Sequence, residues 1–401
     1  MQQLLKKLQG DRVIWMVVIF LSLISLLSVY SSVSTAAYRD GSNSFAFMLK
    51  HLAILVVGMG VIFIVHKTKF KYFGPLSQVM FWLAVGMLVF TFLFGVEING
   101  AKRWLRIPFT NMTFQTSDFA KIILIVYTAR MLNLKRTMLH DFREGVWPVL
   151  WPIVLVCALI LPDDLSTAVM LGGVCLIMLF IGGVPLRHMA KIIGIALAGV
   201  ALIYLLGKSA PDLLGRFNTW ALRIENFFVP GTTADGNFQS DLGQFSIYKG
   251  GFIPQGPFSG SSGRNFLPHP YSDMIYAFII QEYGSILGGL GLILLYLIFM
   301  YRTIKTSLKC PKHFGGIMAM GLGFLITIQA LFNMAVSVHL IPVTGQPLPL
   351  VSMGGTSILF TCIAIGVILS VSRSVYQPDE WEEENESSPS ENKPRESYAT
   401  N

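Results

Sequence analysis

Residues 76–95 read LSQVMFWLAVGMLVFTFLFG, a run of twenty residues without a single charged side chain. A helix of about 20 mostly apolar residues is long enough to cross the hydrocarbon core of a bilayer. Charged residues make up only 13% of the 401-residue chain, which is about half of their share in an ordinary soluble domain. The sequence therefore predicts a membrane protein and argues against a water-soluble enzyme with a large core.

Nine further apolar runs accompany this one. Together they predict an all-α polytopic membrane domain over residues 12–376, with about ten transmembrane helices. The fourth and fifth runs are shorter and more polar than the others, as is typical of helices shielded by their neighbours. The predicted spans are residues 12–34, 47–66, 76–95, 118–133, 147–161, 165–184, 189–206, 274–300, 314–340 and 356–373.

The basic residues predict the orientation of these spans, because Lys and Arg are concentrated in the cytoplasmic loops of membrane proteins. With ten spans and a cytoplasmic N-terminal segment at residues 1–11, all four basic loops fall in the cytoplasm. Removal of any interior span would invert every later loop, so the charges support the span count independently. The net charge of +8 follows from this placement, and no basic stripe interleaved with aromatic residues supports nucleic-acid binding. The basic loop residues are Lys67, Lys69, Lys71, Arg130, Lys135, Arg136, Arg143, Arg187, Lys191, Arg302, Lys305, Lys309 and Lys312.

The opposite, extracytoplasmic face carries the longer connections. The largest, residues 207–272 between spans seven and eight, is rich in Gly, Phe and polar residues. Long segments of this kind are usually functional or disordered, and the aromatic residues favour short helices lying along the membrane surface. Residues 377–401 are acidic and rich in Ser, Pro and Asn, which predicts a disordered cytoplasmic tail. The other outer connections are residues 96–117, the turn around Asp163 and Asp164, and residues 341–355.

Carboxylates at the outer ends of spans are the first candidates for chemistry. Asp273 stands where the large outer loop enters the eighth span, and Glu282 follows nine residues later, about 13 Å deeper in a helix. A carboxylate at that depth is costly without partners and is a functional candidate by default. The alternative for Asp273 is a helix cap. Asp163 and Asp164 begin the sixth span, and at least one of them is expected to be a cap.

Basic residues on the outer face are informative because they run against the usual charge distribution. Lys102 and Arg103 suit a clamp for phosphate or pyrophosphate; the alternative is snorkelling beside Trp104. Lys121 lies just inside the fourth span, one helical turn from Asp118. Its alternative is a local ion pair with that aspartate.

Several common sites have no support in the sequence. Catalytic triads and phosphate-binding loops are absent as motifs, and the four cysteines have neither metal nor redox spacing. Residues 345–357 contain no titratable side chain, so they offer backbone N–H groups at a helix start, which suit anions. A divalent cation such as Mg²⁺ would share the binding of a phosphate or pyrophosphate with Lys102 and Arg103, although no cluster of ligands in the sequence demands one.

Six segments, in this order and on the predicted outer face, resemble the SEDS family (shape, elongation, division and sporulation). One of them alone would be weak evidence, but together they extend the resemblance from about residue 11 to residue 373. The resemblance is strongest to the division branch of the family, with the elongation branch as the alternative. The segments are NGAKRW at 99–104, QTSDFAK at 115–121, DLSTA at 164–168, QS at 239–240, LPHPYSD at 267–273 and GQPLPLVSMGGTS at 345–357.

The resemblance implies a ten-span peptidoglycan glycosyltransferase that polymerises lipid II on the outer face of the cytoplasmic (inner) membrane, at the division septum. It also implies a single-span class B penicillin-binding protein and other divisome membrane proteins as partners. The acidic catalytic residue of the family falls on Asp273. The expected substrate-binding residues are Arg103, Lys121, Lys102, Gln239, Ser240, Glu282, Asp164, Thr167 and Ser352.

The chain departs from the usual family pattern at three places. Residues 269–272 read HPYS, where the family commonly has Glu-Ala-His-Thr before the aspartate. A frequent Glu-Glu pair is Gln281-Glu282, and the Pro-Asp-Leu motif is extended by one residue to Pro162-Asp163-Asp164-Leu165. Asp273 itself is retained, so these differences concern its surroundings.

Two rival functions use the same residues. A lipid II flippase needs a polar path to the cytoplasmic face, whereas the ionisable residues outside the basic loops are concentrated in the outer half of the predicted spans. A non-catalytic division scaffold fits the acidic tail but does not explain Asp273 together with Arg103 and Lys121. The sequence favours polymerisation over both.

Overall fold

A computed structural model describes residues 9–39, 44–98, 101–106, 113–209, 227, 238–257 and 271–376. Within these residues the chain is mostly helical, and a helix lies at each of the ten predicted spans. The α-helices are α1 (Arg12–Arg39), α2 (Ser44–Lys67), α3 (Phe73–Phe94), α4 (Thr116–Leu134), α5 (Trp147–Ile160), α6 (Leu165–Ile181), α7 (Leu186–Ser209), α8 (Phe238–Gly250), α9 (Ile275–Tyr283), α10 (Gly291–Lys309), α11 (His313–Ser337) and α12 (Thr356–Tyr376). Short 3-10 or π-helical turns occupy Phe70–Tyr72, Phe142–Val146 and Gly284–Leu290.

Seven helical segments in the described part of the chain are long and apolar enough to cross a membrane, and α6 is a shorter apolar helix. The chain is therefore a polytopic helical membrane protein. The seven are α1, α2, α3 with the turn before it, α5 with the turn before it, the combined stretch Ile275–Lys309, α11 and α12.

Helices α11 and α12 form the interior of the bundle, since most of their residues are buried. Helices α2 and α3, by contrast, expose large apolar side chains along much of their length, as helices facing lipid do. Close packing in the interior depends on small residues. A Cβ atom added to Gly323 of α11 would lie 2.5 Å from the Thr303 side chain of α10, so these two helices approach more closely than larger residues would permit.

The all-α prediction was wrong for residues 96–115, which contain a three-stranded antiparallel sheet. Strands β1 (Val96–Ile98), β2 (Ala101–Arg106) and β3 (Thr113–Gln115) lie in the order β1-β2-β3. The register pairs Ile98 with Ala101, and the sequence between them is Asn-Gly, the strongest short-range signal for a two-residue hairpin. A search for long apolar runs overlooks strands this short.

The predicted eighth span is not one continuous α-helix. Helix α9 is capped at its C-terminal end by Gly284, whose φ of 73° lies in the left-handed region. A π-helical turn at Gly284–Leu290 joins α9 to α10. Every residue of α9 from Ile275 to Glu282 is buried, whereas exposed apolar residues begin at Ile286. The lipid-facing part of this span therefore starts after the break.

Contacts among the predicted cytoplasmic segments gather at one end of the bundle. Arg302 Nη2 lies 2.6 Å from Asp11 Oδ2, which joins α10 to the start of α1. The Ser370 hydroxyl of α12 donates to the carbonyl of Thr68, in the first basic loop, at 2.5 Å. The large outer loop contains α8, and the predicted disordered tail at residues 377–401 lies outside the described residues.

Candidate functional site

An ion pair joins two of the predicted site residues, Arg103 and Asp164. Strand β2 carries Arg103, and its Nη1 atom lies 2.5 Å from Oδ2 of Asp164. Asp164 is the N-cap of α6, and its Oδ1 atom accepts a hydrogen bond from the Thr167 backbone N–H at 3.0 Å. The expectation of a cap at this turn is confirmed. The same carboxylate therefore begins a helix and holds the guanidinium.

Gln346 adds a third contact to the same carboxylate. Its Nε2 group donates to Asp164 Oδ2 at 3.3 Å and also to the hydroxyl of Thr167. Its backbone carbonyl accepts from Nδ2 of Asn333 on α11 at 2.7 Å. Gln346 thus connects the start of α6 to the irregular segment before α12.

Asp273 lies two residues before the first residue of α9, and the N-cap of this helix, Met274, makes no side-chain cap hydrogen bond. The Asp273 side chain is therefore not engaged as the cap of this helix. Ser272 donates to its Oδ1 atom at 2.9 Å. Its backbone carbonyl accepts from Asn333 Nδ2 at 2.8 Å, so the two N–H groups of one amide hold the backbones of Asp273 and Gln346 together.

Gly345 marks the point at which Asp273 and Arg103 converge. A Cβ atom added to this glycine would lie 3.7 Å from Asp273 Oδ2 and 3.9 Å from Arg103 Nη2. Gly345 also has a φ of 67°, which favours glycine. The guanidinium of Arg103 is therefore paired with Asp164 and lies beside the same glycine as the Asp273 carboxylate. These residues form what is called here the polar cluster, which comprises Arg103, Asp164, Thr167, Asp273, Asn333, Gly345 and Gln346.

Residues 341–355 are an irregular segment that enters the helical bundle. The Ser25 hydroxyl, thirteen residues into α1, donates to the carbonyl of Val351 at 2.8 Å, and the Tyr296 hydroxyl donates to that of Pro349 at 2.5 Å. Ser352 accepts from Leu348 N–H and donates to the Ser272 carbonyl. Non-helical backbone at membrane depth is tolerated when protein groups satisfy it, and these side chains do so.

Lys121 belongs to a second polar group beside the same segment. Its Nζ atom lies 2.7 Å from Oδ1 of Asp118, and both side chains are buried, so the local ion pair that was the alternative for Lys121 is present. Lys121 also donates to Gln329 Oε1 at 3.4 Å, while Gln329 Nε2 donates to the Pro347 carbonyl at 3.1 Å. Lys121 is thereby linked to the segment that carries Gly345 and Gln346.

A cavity lies beside each of the two basic residues. The first is lined by Arg103, Asp163 and Asp164 together with apolar and hydroxyl side chains of α3, α4 and α5. The second is lined by Lys121, Gln329 and residues of α11 and α12. Both basic residues therefore border small open spaces between helices.

The remaining predicted residues are placed differently. Glu282 is buried near the end of α9 and accepts a hydrogen bond from Ser31 of α1, which is not a member of the polar cluster. Lys102 lies in β2, and Gln239 and Ser240 lie in α8, but their side chains are outside the described part of the chain. Across the residues that the structure describes, no group of three or more His, Cys, Asp or Glu side chains has the arrangement of a metal site.

Sequence reasoning missed Gln346, Asn333 and Gln329. Gln329 and Asn333 are four residues apart on an apolar helix and therefore share one face. Polar side chains at this spacing in a membrane helix are a usable signal. Gln346 lies in the segment that was predicted to bind anions through backbone N–H groups, so its side chain was not considered.

Comparison with known proteins agrees with this architecture. The family model described as "Cell cycle protein" (FTSW_RODA_SPOVE) matches residues 11–377. Stage V sporulation protein E of Bacillus subtilis (strain 168) is 29% identical over 373 residues, covering 92% of this chain and 98% of that protein. A probable peptidoglycan glycosyltransferase FtsW of Geobacter sp. (strain M18) is 30% identical over 376 residues, with the same coverage.

Two solved structures share the fold. One, described as "Structural coordination of polymerization and crosslinking by a peptidoglycan synthase complex", has a TM-score of 0.75 at 21% identity and covers 92% of this chain and 99% of that chain. The other, rod shape determining protein RodA of Thermus thermophilus, has a TM-score of 0.64 at 20% identity and covers 92% and 98%. The family model and the Geobacter relative show that the chain belongs to the FtsW/RodA/SpoVE family, the SEDS family that its motifs resemble.

Proposed function

We propose that this protein is a peptidoglycan glycosyltransferase that polymerises lipid II on the outer face of the cytoplasmic membrane. Its membership of the family and the names of its relatives support the reaction. The observation that carries the proposal is the convergence of the Asp273 carboxylate and the Arg103 guanidinium beside Gly345. One group is suited to accept a proton and the other to bind an anion.

The reaction sets the requirements for such a site. Lipid II is a disaccharide-peptide on a polyprenyl pyrophosphate, and polymerisation is a displacement at C1 of the donor sugar. The 4-hydroxyl group of the acceptor attacks and the pyrophosphate departs. A base near the hydroxyl and positive charge near the pyrophosphate both lower the barrier. A single inverting displacement needs no enzyme nucleophile.

The two carboxylates of the polar cluster suit different roles. Asp164 uses Oδ1 for the cap of α6 and Oδ2 for Arg103 and Gln346, so it acts as an anchor. Asp273 Oδ2 lies beside Gly345, as Arg103 Nη2 does, and we assign Asp273 as the general base, or as the carboxylate that positions the acceptor hydroxyl.

Arg103 is the group that we assign to the departing pyrophosphate. In the structure its charge is balanced by Asp164, so an incoming pyrophosphate competes with that carboxylate for the guanidinium. Asp164 keeps hydrogen bonds from Gln346 and the Thr167 backbone when Arg103 turns away. This arrangement lowers the penalty for releasing Arg103, because the buried carboxylate is never left without donors.

Lys121 extends the anion-binding side of the site. Its ion pair with Asp118 and its bond to Gln329 hold the ammonium group beside a cavity. We assign it to the second phosphate or to the lipid-proximal part of the substrate, with the polyprenyl tail in a groove between helices. Lys102, Gln239 and Ser240 remain substrate-binding candidates on the strength of the family resemblance.

The proposed topology has ten crossings with both termini in the cytoplasm. It is supported by ten helices at the predicted spans and by the gathering of the predicted cytoplasmic contacts at one end. The polar cluster then faces the outer side, where lipid II sugars are presented. We further propose a class B penicillin-binding protein as partner and a location at the division septum. The structurally similar peptidoglycan synthase complex supports the partner, and the names of the relatives support the location.

A reconstituted assay tests the proposal against the flippase alternative. Lipid II is supplied only to the side of the vesicle membrane that the polar cluster faces, with the purified protein and its partner. The proposal predicts glycan strands from this pool without transport across the bilayer. Transport of lipid II to the opposite leaflet without strand formation would overturn it.

A further inference from the structure

Residues 251–256, called here the strap, cross the point at which α9 breaks. The backbone N–H groups of Gln255 and Gly256 both donate to the carbonyl of Glu282, each at 3.0 Å. In return, the backbone N–H and the hydroxyl of Ser285 donate to the carbonyl of Gly251 at 2.9 and 2.8 Å. These bonds satisfy backbone groups that a broken helix leaves without partners, so the strap is joined to α9 on both sides of the break.

Two glycines bring the backbones into direct contact. A Cβ atom on Gly250 would lie 2.4 Å from the carbonyl oxygen of Ile280, and one on Gly284 would lie 2.7 Å from that of Phe252. Side chains at either position would push the strap away from α9. The position of Phe252 along the eighth span is therefore fixed by close packing as well as by hydrogen bonds.

The strap and the end of α8 present apolar side chains away from α9. Tyr248 is 84% exposed, Phe252 75% and Ile253 76%. Single exposed apolar residues are ordinary on a protein surface, but three within six residues form a patch that indicates an interaction site. Lys249 adds a positive charge to this patch, with its Nζ atom 4.9 Å from the ring centroid of Phe245.

The position of this patch along the length of the helical bundle indicates what the patch contacts. Ser285 is bonded to the strap, and the next two residues, Ile286 and Leu287, are 60% and 63% exposed. They begin the exposed apolar surface that continues along α10, so the patch adjoins the edge of the lipid-facing surface. Aromatic residues are enriched at this level of membrane proteins, and basic residues there meet lipid phosphates.

We propose that the strap inserts Phe252 and Ile253 into the membrane leaflet nearest the polar cluster, with Tyr248 and Lys249 among the lipid headgroups. The occupant of this patch is thus the lipid surface itself. That this leaflet is the outer one rests on the proposed function and its topology. Because the strap is hydrogen-bonded to α9, its contact with the membrane fixes the depth of α9, the helix that begins beside Asp273.

Photo-crosslinking of the full-length protein tests this contact without any measurement of activity. p-Benzoylphenylalanine is introduced at position 252 or 253, and the purified chain is irradiated in vesicles of phosphatidylethanolamine and phosphatidylglycerol. Ile286 serves as the lipid-facing reference. Gln244, an exposed polar residue of α8 eight positions before Phe252, serves as the control outside the apolar patch.

Intact-mass spectrometry gives the readout. The proposal predicts a mass increase of one phospholipid at positions 252 and 253, comparable with position 286 and several-fold above position 244. Lipid adducts at 286 but not at 252 or 253 would overturn it. Adducts to a second protein chain at 252 and 253, seen as a crosslinked dimer, would also overturn it and would assign the patch to protein contact.

Discussion

Arg103 and Asp164 form an ion pair at 2.5 Å across 61 residues of sequence. The contact requires the β2 strand to fold back over the start of α6, and it places a guanidinium where Asp273 also points. Asp164 has two separable duties in this arrangement, because Oδ1 caps α6 and Oδ2 pairs with Arg103. Substitutions that remove the ion pair but keep the cap therefore separate the effect of Asp164 on activity from its effect on protein stability.

Asp164→Asn is expected to retain the cap while the ion pair is lost, because asparagine caps helices as well as aspartate. Its melting temperature should stay close to that of the parent chain, while strand synthesis falls. Asp164→Ala should lose about 1 kcal/mol more stability, the usual contribution of an N-cap. Thermal unfolding in detergent and polymerisation of lipid II measure the two effects. Equal melting temperatures of the Asn and Ala variants would contradict the assignment of the cap.

Arg103→Lys is expected to keep a positive charge but lose the planar donor fork that suits phosphate oxygens. Loss of one preorganised donor to a developing anion typically reduces the rate by about 10²-fold, and we expect an effect of this size in single-turnover polymerisation. The configuration of the product linkage should not change. Arg106→Lys, an exposed residue on the same strand, is the matched control and should be nearly neutral. If both variants polymerise at the parent rate, Arg103 does not bind the leaving group.

Asn333→Leu is expected to lower stability and activity together. The amide of Asn333 is the shared donor to the carbonyls of Asp273 and Gln346, and each buried carbonyl without its donor costs about 1–3 kcal/mol. Ser337→Ala is the control on the same helix, because the Ser337 hydroxyl donates to the Asn333 carbonyl of its own helix. Unfolding and polymerisation are measured for both. A leucine variant as stable and active as the serine control would show that this bridge does not position Asp273.

Gly284→Ala is expected to destabilise the break between α9 and α10. Its Cβ atom would lie 2.7 Å from the Phe252 carbonyl, and the φ of 73° adds strain for a residue with a side chain, together about 1–3 kcal/mol. Gly291→Ala has its nearest contact at 3.9 Å and should be neutral or slightly stabilising, since alanine favours helix. Melting temperatures decide the comparison, and similar values for the two variants would contradict the close packing of the strap.

Much of the fold follows from local rules that need no tertiary information. The spans are visible because long apolar runs have few alternatives in a membrane, and a helix lies at each of them. The cap at Asp164 and the local pair of Asp118 with Lys121 are also short-range features, and both are present. Arg103 and Asp273 were selected from charge placement and resemblance, and the fold brings them to the same glycine.

The remaining features depend on contacts between distant segments. No periodicity reveals that Gln346 reaches Asp164 across 182 residues, or that the strap closes over a break in the eighth span. The break itself has a sequence signal in Gly284, but glycine alone does not distinguish a kink from a close helix contact. Glu282 was grouped with Asp273 by distance along one helix, whereas its side chain contacts Ser31 of α1.

The most direct test of the central claim replaces Asp273 with asparagine and measures strand synthesis from lipid II by the purified complex. The amide keeps the shape of the side chain and the backbone bond to Asn333 but cannot accept a proton, so a loss of about 10²–10⁴-fold is expected for a general base. Folding and partner binding should be retained. Asp241→Asn, an exposed position on α8, is the matched control and should polymerise normally. Near-normal polymer from the Asp273→Asn complex would contradict the account.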